Sequence, residues 1–408
     1  KDLGKSRHES FLTEIAPVLD EIHFARKNLR RWMKPRKTRT PLPLQPGTSH
    51  IYKEPVGISL VIAPWNYPFM LAISPLVGSF AAGCCAVLKP SEVSSHTSKL
   101  LSRILSEAFP EDYLKVVEGG VQETTLLLEQ KFDHIFFTGS TAVGKIVALA
   151  AAKNLTPCTL ELGGKSPAVV CHDADVHLAA RRLVWGKFLN AGQTCVAPDY
   201  LYVHKSVYGE FIECARAQLK EFYGDSPATS LSYSKIINSA HFDRLKKYLS
   251  NAKVITGGEA NRETSYIAPT LLEDVNWQSE VMKDEIFGPI LPVLKFENLG
   301  EVIAEINSRE KPLAAYIFTK GQENREKFLN EVSFGGGCVN DTIMHLGSAY
   351  LPFGGVGGSG SGSYHGEKSF LTFTHEKSVL KKSGFLDLAI RYPPYAPWKL
   401  KFLKALAR

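Results

Sequence analysis

The sequence predicts an α/β protein built from two open α/β domains, and three observations carry that prediction. Short apolar runs of strand length recur along the 408 residues, and segments of helical periodicity alternate with them. Several runs are apolar without a break, as expected of parallel strands covered on both faces. The composition, 44% hydrophobic and 22% charged, excludes a disordered chain.

The elements follow in order. No charged residue occurs between Pro55 and Leu88, a length that would satisfy a membrane-spanning helix. Pro64, Pro68 and Pro75 interrupt it, so it reads as a buried strand (Ile58 to Ala63), a loop (Pro64 to Pro68), a helix to about Ala82 and a second strand (Cys85 to Leu88). A helix is predicted over Ser94 to Ala108, a strand over Leu114 to Val117, a short helix to Gln130, a strand over His134 to Thr138 and a helix over Ala142 to Ala152. Ligands of such a sheet bind beyond the carboxyl ends of its strands. From Thr159 the rhythm resumes as a second α/β domain. Its expected strands are Thr159 to Leu162, Ala168 to Cys171, Tyr200 to His204, Leu291 to Leu294, Ala314 to Phe318 and Gly337 to Asn340. Its helices fit Val176 to Phe188, Val207 to Phe222, Ser239 to Asn251, Leu299 to Asn307 and Glu323 to Val332. Seven of the fourteen residues from Phe353 to Gly366 are glycine, too many for a stable helix or strand, so a mobile or tightly turning connection is expected there.

The net charge of +7 has a location. Arg26 to Arg39 carries eight basic residues and no acid, and Lys377 to Arg408 carries eight against Asp387 alone. Without the net +15 of these two segments the body of the chain stands at −8, which argues against a nucleic-acid role. The seven cysteines show no C-x-x-C pair and no metal-ligand spacing, the pattern of a reduced intracellular protein without a zinc site. The first residue is Lys rather than Met, so the chain reads as a processed or partial form.

Four segments carry chemistry. Phe188-Leu-Asn-Ala-Gly-Gln-Thr-Cys195 runs from a helix end through a polar, glycine-containing turn into a cysteine, which favours a presented thiolate over a small buried hydrophobe. In Thr159-Leu-Glu-Leu-Gly-Gly-Lys165, Glu161 sits in an apolar strand, where burial raises a carboxyl pKa and suits a general base. The plain alternative is a carboxylate satisfied by backbone donors. Phe136-Phe-Thr-Gly-Ser-Thr-Ala-Val-Gly-Lys145 lies at a strand-to-helix junction. Gly139 and Gly144 would permit a tight turn there, and the helix N-terminus would face an anion. It is neither a G-x-G-x-x-G fingerprint nor a P-loop, and an ordinary glycine turn fits it as well. Ala86-Val-Leu-Lys-Pro-Ser-Glu92 ends a strand with Lys89 and Glu92, where the adenosine ribose lies in a dinucleotide fold; a solvated charge pair is the alternative.

Together these segments resemble the aldehyde dehydrogenase superfamily. Pro64-Trp-Asn-Tyr-Pro68, Lys89-Pro-Ser-Glu92, Phe137-Thr-Gly-Ser140, Glu161-Leu-Gly-Gly164, Gly192-Gln-Thr-Cys195 and Glu285-Ile-Phe-Gly-Pro289 match its motifs in order. Cys195-Val-Ala-Pro-Asp-Tyr200, Leu351-Pro-Phe-Gly-Gly-Val356 and Ser363-Tyr-His-Gly366 resemble its class 3 branch. The resemblance covers essentially the whole chain. It implies oxidation of an aldehyde, medium- or long-chain aliphatic or aromatic, through a thiohemiacetal and thioester on Cys195. Asn66 would donate to the oxyanion and Glu161 would activate the hydrolytic water. It implies NAD as cofactor, with NADP also accepted in this branch. Trp65, Lys89, Glu92, Gly139, Ser140, Gly144, Glu285 and Phe287 would be the cofactor-binding residues.

The resemblance also implies a dinucleotide-binding domain over residues 1–160, with a bridging hairpin at 35–55. A catalytic thiol domain would follow over 161–350, then a C-terminal bridging segment and tail over 351–408, and the whole would be a homodimer. Acyl transfer to coenzyme A and a catalytically silent scaffold are the competing readings; Glu161 argues against the first and the intact Cys195, Glu161 and Asn66 against the second. Gly354 to Gly362 is richer in glycine and serine than the family form, which bears on the shape of the substrate entrance. The tail Trp398-Lys-Leu-Lys-Phe-Leu-Lys-Ala-Leu-Ala-Arg408 mixes basic and apolar residues in a way that suits either a membrane surface or a helix packed on a neighbouring subunit. A cytoplasmic protein, membrane-associated if the tail binds lipid, is therefore expected.

Overall fold

The computed structural model describes residues 1–250, 252–385 and 387–406. Packing divides the chain into two units: Lys1–Trp32 with Pro55–Thr374, and Met33–Glu54 with the chain from His375 onward.

The first unit holds two large sheets. One has six strands, in the order Gly360–Ser361, Cys158–Glu161, His134–Thr138, Ile58–Ile62, Cys85–Lys89 and Leu114–Val116. All pairs are parallel except the edge pair of Gly360 with Glu161. The chain runs outward from Ile58–Ile62 through Cys85–Lys89 to Leu114–Val116, then returns to the opposite side at His134–Thr138. The order therefore reverses between Ile58–Ile62 and His134–Thr138, and the crevice at such a switch point is where open α/β sheets bind ligands. The apolar runs explain the burial: Leu60, Val61, Leu88 and Phe136 are fully enclosed, each contributing roughly 1.5–3 kcal/mol.

The other sheet has seven strands, in the order Lys253–Thr256, Thr270–Glu273, Ile290–Phe296, Tyr200–His204, Pro167–Val170, Ala314–Phe318 and Gly336–Val339. It is parallel apart from Lys253–Thr256. Ala168, Val169, Val170, Leu201 and Val203 are wholly buried. The helices Val176–Phe188 and Tyr208–Tyr223 pack against each other.

The strands and helices lie within a few residues of their expected positions. Met70–Ala82 is helical despite its internal Pro75 and stops at Gly83, whose φ of +89° gives the left-handed C-terminal cap. Ser239–Leu249 is the helix expected to reach Asn251; Asn251 itself lies outside the described residues.

Three expectations are corrected. The strand expected at Thr159 to Leu162 belongs to the first sheet, not the second: Cys158–Glu161 pairs in parallel with His134–Thr138. The glycine-rich run does form a strand, since Gly360–Ser361 adds an antiparallel edge beside Glu161 and Leu160. Glycine makes it possible, because Gly360 has a φ of +150° and a Cβ there would run into the carbonyl oxygen of Leu160. Two strands with no sequence expectation, Lys253–Thr256 and Thr270–Glu273, complete the second sheet.

In the second unit, Arg36–Thr38 and Gly47–Pro55 form an antiparallel hairpin, and Thr374–Lys382 completes a three-stranded sheet. The basic segment Arg26 to Arg39 thus ends on a strand. The tail forms a helix, Pro397–Leu406; Ala407 and Arg408 lie outside the described residues. Trp398, Leu400, Phe402 and Leu403 are exposed on it, whereas Lys399 is buried and donates to the carbonyl oxygens of Ala389 (3.1 Å) and Tyr392 (2.8 Å). Among the described residues no helix is long and apolar enough to cross a membrane.

Candidate active site

Cys195 follows a backbone that bends sharply. The helix Val176–Phe188 runs into the turn Leu189–Gly192, where Asn190 (φ 53°) and Ala191 (φ 51°) are left-handed without being glycine. Such conformations cost energy and persist only where the surroundings enforce them. Gly192 (φ +72°) lies so close to the carbonyl of Gly288 that a Cβ would overlap it. The motif containing Cys195 and the motif Glu285 to Pro289 are therefore interlocked.

The thiol is half-buried. Burial first, then the carboxylates of Glu285 and Glu161, push its pKa up to about 12, against weaker help from the backbone N–H groups of Cys195 and Val196. Burial above all, with the two acids adding to it, thus opposes the expected presented thiolate and favours the protonated thiol in the free protein.

Glu161 is the deciding residue. It is 2% exposed, burial raises its carboxyl well above the ordinary range, and neither carboxylate oxygen has a hydrogen-bond partner among the described residues. Backbone satisfaction, the plain alternative, is absent there. An unpartnered buried carboxyl is costly, and this one is near enough to Cys195 to raise its pKa.

Asn66 lies just past the strand Ile58–Ile62, at the switch point, and is buried. Its Nδ2 donates to the carbonyl oxygen of Gln193 at 3.1 Å, and the second N–H of that amide makes no bond among the described residues. The next residue, Tyr67, shares a hydrogen bond of 2.6 Å with Thr194. Asn66 and Tyr67 are thus tied to the two residues immediately before Cys195.

Glu285 closes the site from the other sheet. Its carboxyl lies against Gly163, where a Cβ would overlap it, and accepts from the backbone N–H of Gly164. Burial, then Asp199, push it up to about 8. Trp65 stands edge-on to Phe287 at 5.3 Å and 4.8 Å from the ring of His241.

Comparisons with known proteins identify the family. The model of the aldehyde dehydrogenase family matches residues 1–379. The chain is 48% identical over 406 residues to the 4,4'-diaponeurosporen-aldehyde dehydrogenase of Staphylococcus aureus, covering 99% of this chain and 88% of that one. It is 49% identical over 395 residues to a dimeric NADP-preferring aldehyde dehydrogenase of Rattus norvegicus, covering 96% and 87%. The solved substrate-bound state of Staphylococcus aureus AldH superposes with a TM-score of 0.98 at 48% identity, over 100% of this chain and 89% of that one.

The chain belongs to the aldehyde dehydrogenase family. It is an NAD(P)-dependent aldehyde dehydrogenase, and an NAD+ complex of the Mycobacterium tuberculosis enzyme superposes on it with a TM-score of 0.85 at 28% identity, over 95% of this chain and 81% of that one.

The residues fit a dinucleotide. Lys89 is 3% exposed at the end of its strand, with Nζ 2.8 Å from Glu92 Oε2, while the Glu92 side chain is 47% exposed. Ser140 caps the helix Thr141–Lys153 and is exposed at its N-terminus. Beside it the Thr138 hydroxyl is buried with no partner among the described residues. Gly139 and Gly144 act by packing and not by the expected turn. Neither has a positive φ, and a Cβ at either would press on Phe137 or Leu162, 2.6 Å away in both cases.

Sequence reasoning missed several groups. Asn190 and Gln193 are buried and cross-link the loop before Cys195, Asn190 Nδ2 donating to Asn66 O (2.8 Å) and Gln193 Nε2 to Lys235 O (2.9 Å). Lys165 pairs with Asp199, and Lys187 is wholly buried with its pKa lowered to about 8 by burial. Asn190 lies in the polar turn before Cys195, where nothing distinguishes it, whereas Asp199 follows the apolar run Val196-Ala-Pro198 and is marked only by its polarity there.

Proposed function

We propose that Cys195 is the nucleophile of the aldehyde oxidation, Glu161 its general base and Asn66 the oxyanion donor. The unpartnered Glu161 carboxyl beside the Cys195 thiol carries this reading. A thiol with a pKa near 12 is unreactive at neutrality, so its proton leaves to solvent as the sulfur attacks, and the high-pKa carboxyl of Glu161 stands beside it as the base for the hydrolytic step. The sulfur adds to the aldehyde carbon, and the second N–H of Asn66 with the Cys195 backbone N–H stabilises the oxyanion, a contribution of roughly 3–4 kcal/mol per donor in other enzymes. NAD(P), when bound, supplies the hydride acceptor that converts the thiohemiacetal to a thioester. Glu161 then takes a proton from water, which hydrolyses the thioester and returns the cysteine with release of the acid. Lys89 and Glu92 hold the adenosine ribose, Gly139 and Ser140 the pyrophosphate with Gly144 keeping that helix close, and Glu285, Phe287 and Trp65 the nicotinamide half. On this reading the first sheet is the dinucleotide-binding domain and the second the catalytic domain.

The substrates proposed are medium- or long-chain aliphatic or aromatic aldehydes, in keeping with a relative named for 4,4'-diaponeurosporen-aldehyde. A homodimer is supported by the dimeric rat relative and by the exposed apolar face Val143, Ile146 and Leu149 of the helix Thr141–Lys153, and the three-stranded sheet would bridge its subunits. The basic and apolar tail helix is proposed to rest on a membrane surface. The direct test is aldehyde-dependent NADH formation across a panel of chain lengths, with Cys195→Ala as control. Activity should disappear in that variant; retained activity would overturn the mechanism.

A further inference from the structure

The N-terminal helix contains a feature the mechanism above does not use. Arg7–Ser10 and Ala16–Trp32 are α-helical, but Phe11–Ile15 between them is a π-helical turn. Such turns insert an extra residue and are frequent at functional sites. Its consequence here is geometric. In a regular α-helix residues five apart point roughly 140° away from each other. The wider turn brings Glu9 and Glu14 back towards one side, and both are buried, at 7% and 8% exposure.

Two buried acids on one helix face need partners, and these partners belong to the catalytic loops. Glu14 Oε1 pairs with Lys5 Nζ at 2.8 Å, and its Oε2 accepts from the backbone N–H of Phe69 at 2.9 Å. Lys5 Nζ also donates to the carbonyl oxygen of Asn66 at 3.0 Å and lies 3.9 Å from the ring centre of Tyr67. The Lys5 side chain is only 4% exposed. Glu9 Oε1 accepts from the backbone N–H of Asn190 at 2.9 Å, and the Ser234 hydroxyl adds longer bonds of 3.3 and 3.4 Å. Asn190 in turn donates to Asn66 O at 2.8 Å and to Gln193 O at 3.2 Å.

The main chain of Asn66 is therefore gripped from both sides, by Lys5 and by Asn190, and each grip returns to one of the two acids. The left-handed Asn190, strained on its own account, is held by Glu9.

We propose that Lys5, Glu14 and Glu9 are positioning residues that fix Asn66 against the loop of Cys195, so that the N-terminal π-turn sets the geometry of the oxyanion site. The proposal rests on the reading of Asn66 as oxyanion donor. The brace acts through the main chain of Asn66. Its effect falls on the step in which charge develops on the aldehyde oxygen, where a displacement of about 1 Å costs on the order of 100-fold.

The test is a double-mutant cycle on single-turnover NADH formation, using the full chain with saturating cofactor and a fixed aldehyde. Lys5→Met should slow the first turnover about tenfold or more, leaving cofactor affinity unchanged. In an Asn66→Ala background the same substitution should cost less than about twofold, because the donor it positions is gone. Equal slowing in both backgrounds would overturn the brace while leaving the oxyanion reading intact. A first turnover at the parent rate in Asn66→Ala alone would overturn both. Should Lys5→Met fail to fold, Glu14→Gln, which keeps the size and removes the charge, carries the same cycle. A variant that melts earlier but turns over at the parent rate would reduce the brace to a structural role and contradict the proposal.

Discussion

Replacing Glu285 by Gln should stabilise the protein, and by more the higher the pH. Burial, then Asp199, push the Glu285 carboxyl up to about 8 from an ordinary value of 4.5, with the Gly164 N–H, Lys165 and Arg244 opposing. Between these values the folded protein holds a proton that the unfolded chain has released. The unfolded state then binds fewer protons than the folded one, so stability falls as pH rises from 4.5 towards 8. At pH 7 the loss is about 2.5 pH units at about 1.4 kcal/mol each, on the order of 3–4 kcal/mol, and at pH 5.5 it is less than half of that. Gln matches the shape and has no proton to hold. Equilibrium urea unfolding of the parent and Glu285→Gln should therefore give a difference that more than doubles between pH 5.5 and 7. A difference that stays flat or shrinks with pH would refute the reasoning. The same variant should bind NAD(P) more weakly, the exchange of stability for function expected when an acid is kept buried for its chemistry.

Further predictions follow from the same geometry. Alkylation of Cys195 by iodoacetamide in the cofactor-free protein, read on its peptide by mass spectrometry, should rise about tenfold per pH unit from pH 7 to 9, since a thiol pushed up to about 12 is far from titrated there; a plateau by pH 8.5 contradicts that shift. Ile146→Glu on the exposed helix face should shift the protein to monomer in analytical ultracentrifugation, and an unchanged mass at micromolar concentration would remove that face from the dimer. Flotation with anionic vesicles should be lost on deleting residues 397–408, and equal flotation of both forms would end the membrane reading.

Much of this was legible in the sequence, for a physical reason. Strands buried on both faces need unbroken apolar runs, so Ile58–Ile62 and Ala314–Phe318 announce themselves. Glu161 and Cys195 are chemically out of place in their surroundings, and Asn66 follows a strand between two prolines. Sheet membership is harder, because nothing local to Cys158–Glu161 says which neighbour it joins. Lys253–Thr256 was invisible because it is an edge strand whose first two residues are exposed, so no apolar run marks it. The glycines from Phe353 to Gly366 argue against a strand by propensity, and close approach to Leu160 overrides that argument. Lys5, Glu9 and Glu14 look like ordinary solvated charges near the N-terminus, since regular helical spacing would set Glu9 and Glu14 apart; the π-turn that brings the two acids together leaves no mark in the composition.

The central claim is that a thioester forms on Cys195 and is hydrolysed through Glu161. Intact-protein and peptide mass spectrometry of Glu161→Gln, mixed with NAD+ and an aldehyde and quenched in acid, tests it most directly. About one NADH per site is expected in a first turnover, with slow turnover thereafter and an acyl group retained on the peptide containing Cys195. Steady turnover at the parent rate without an adduct, or an acyl group on another residue, would contradict it.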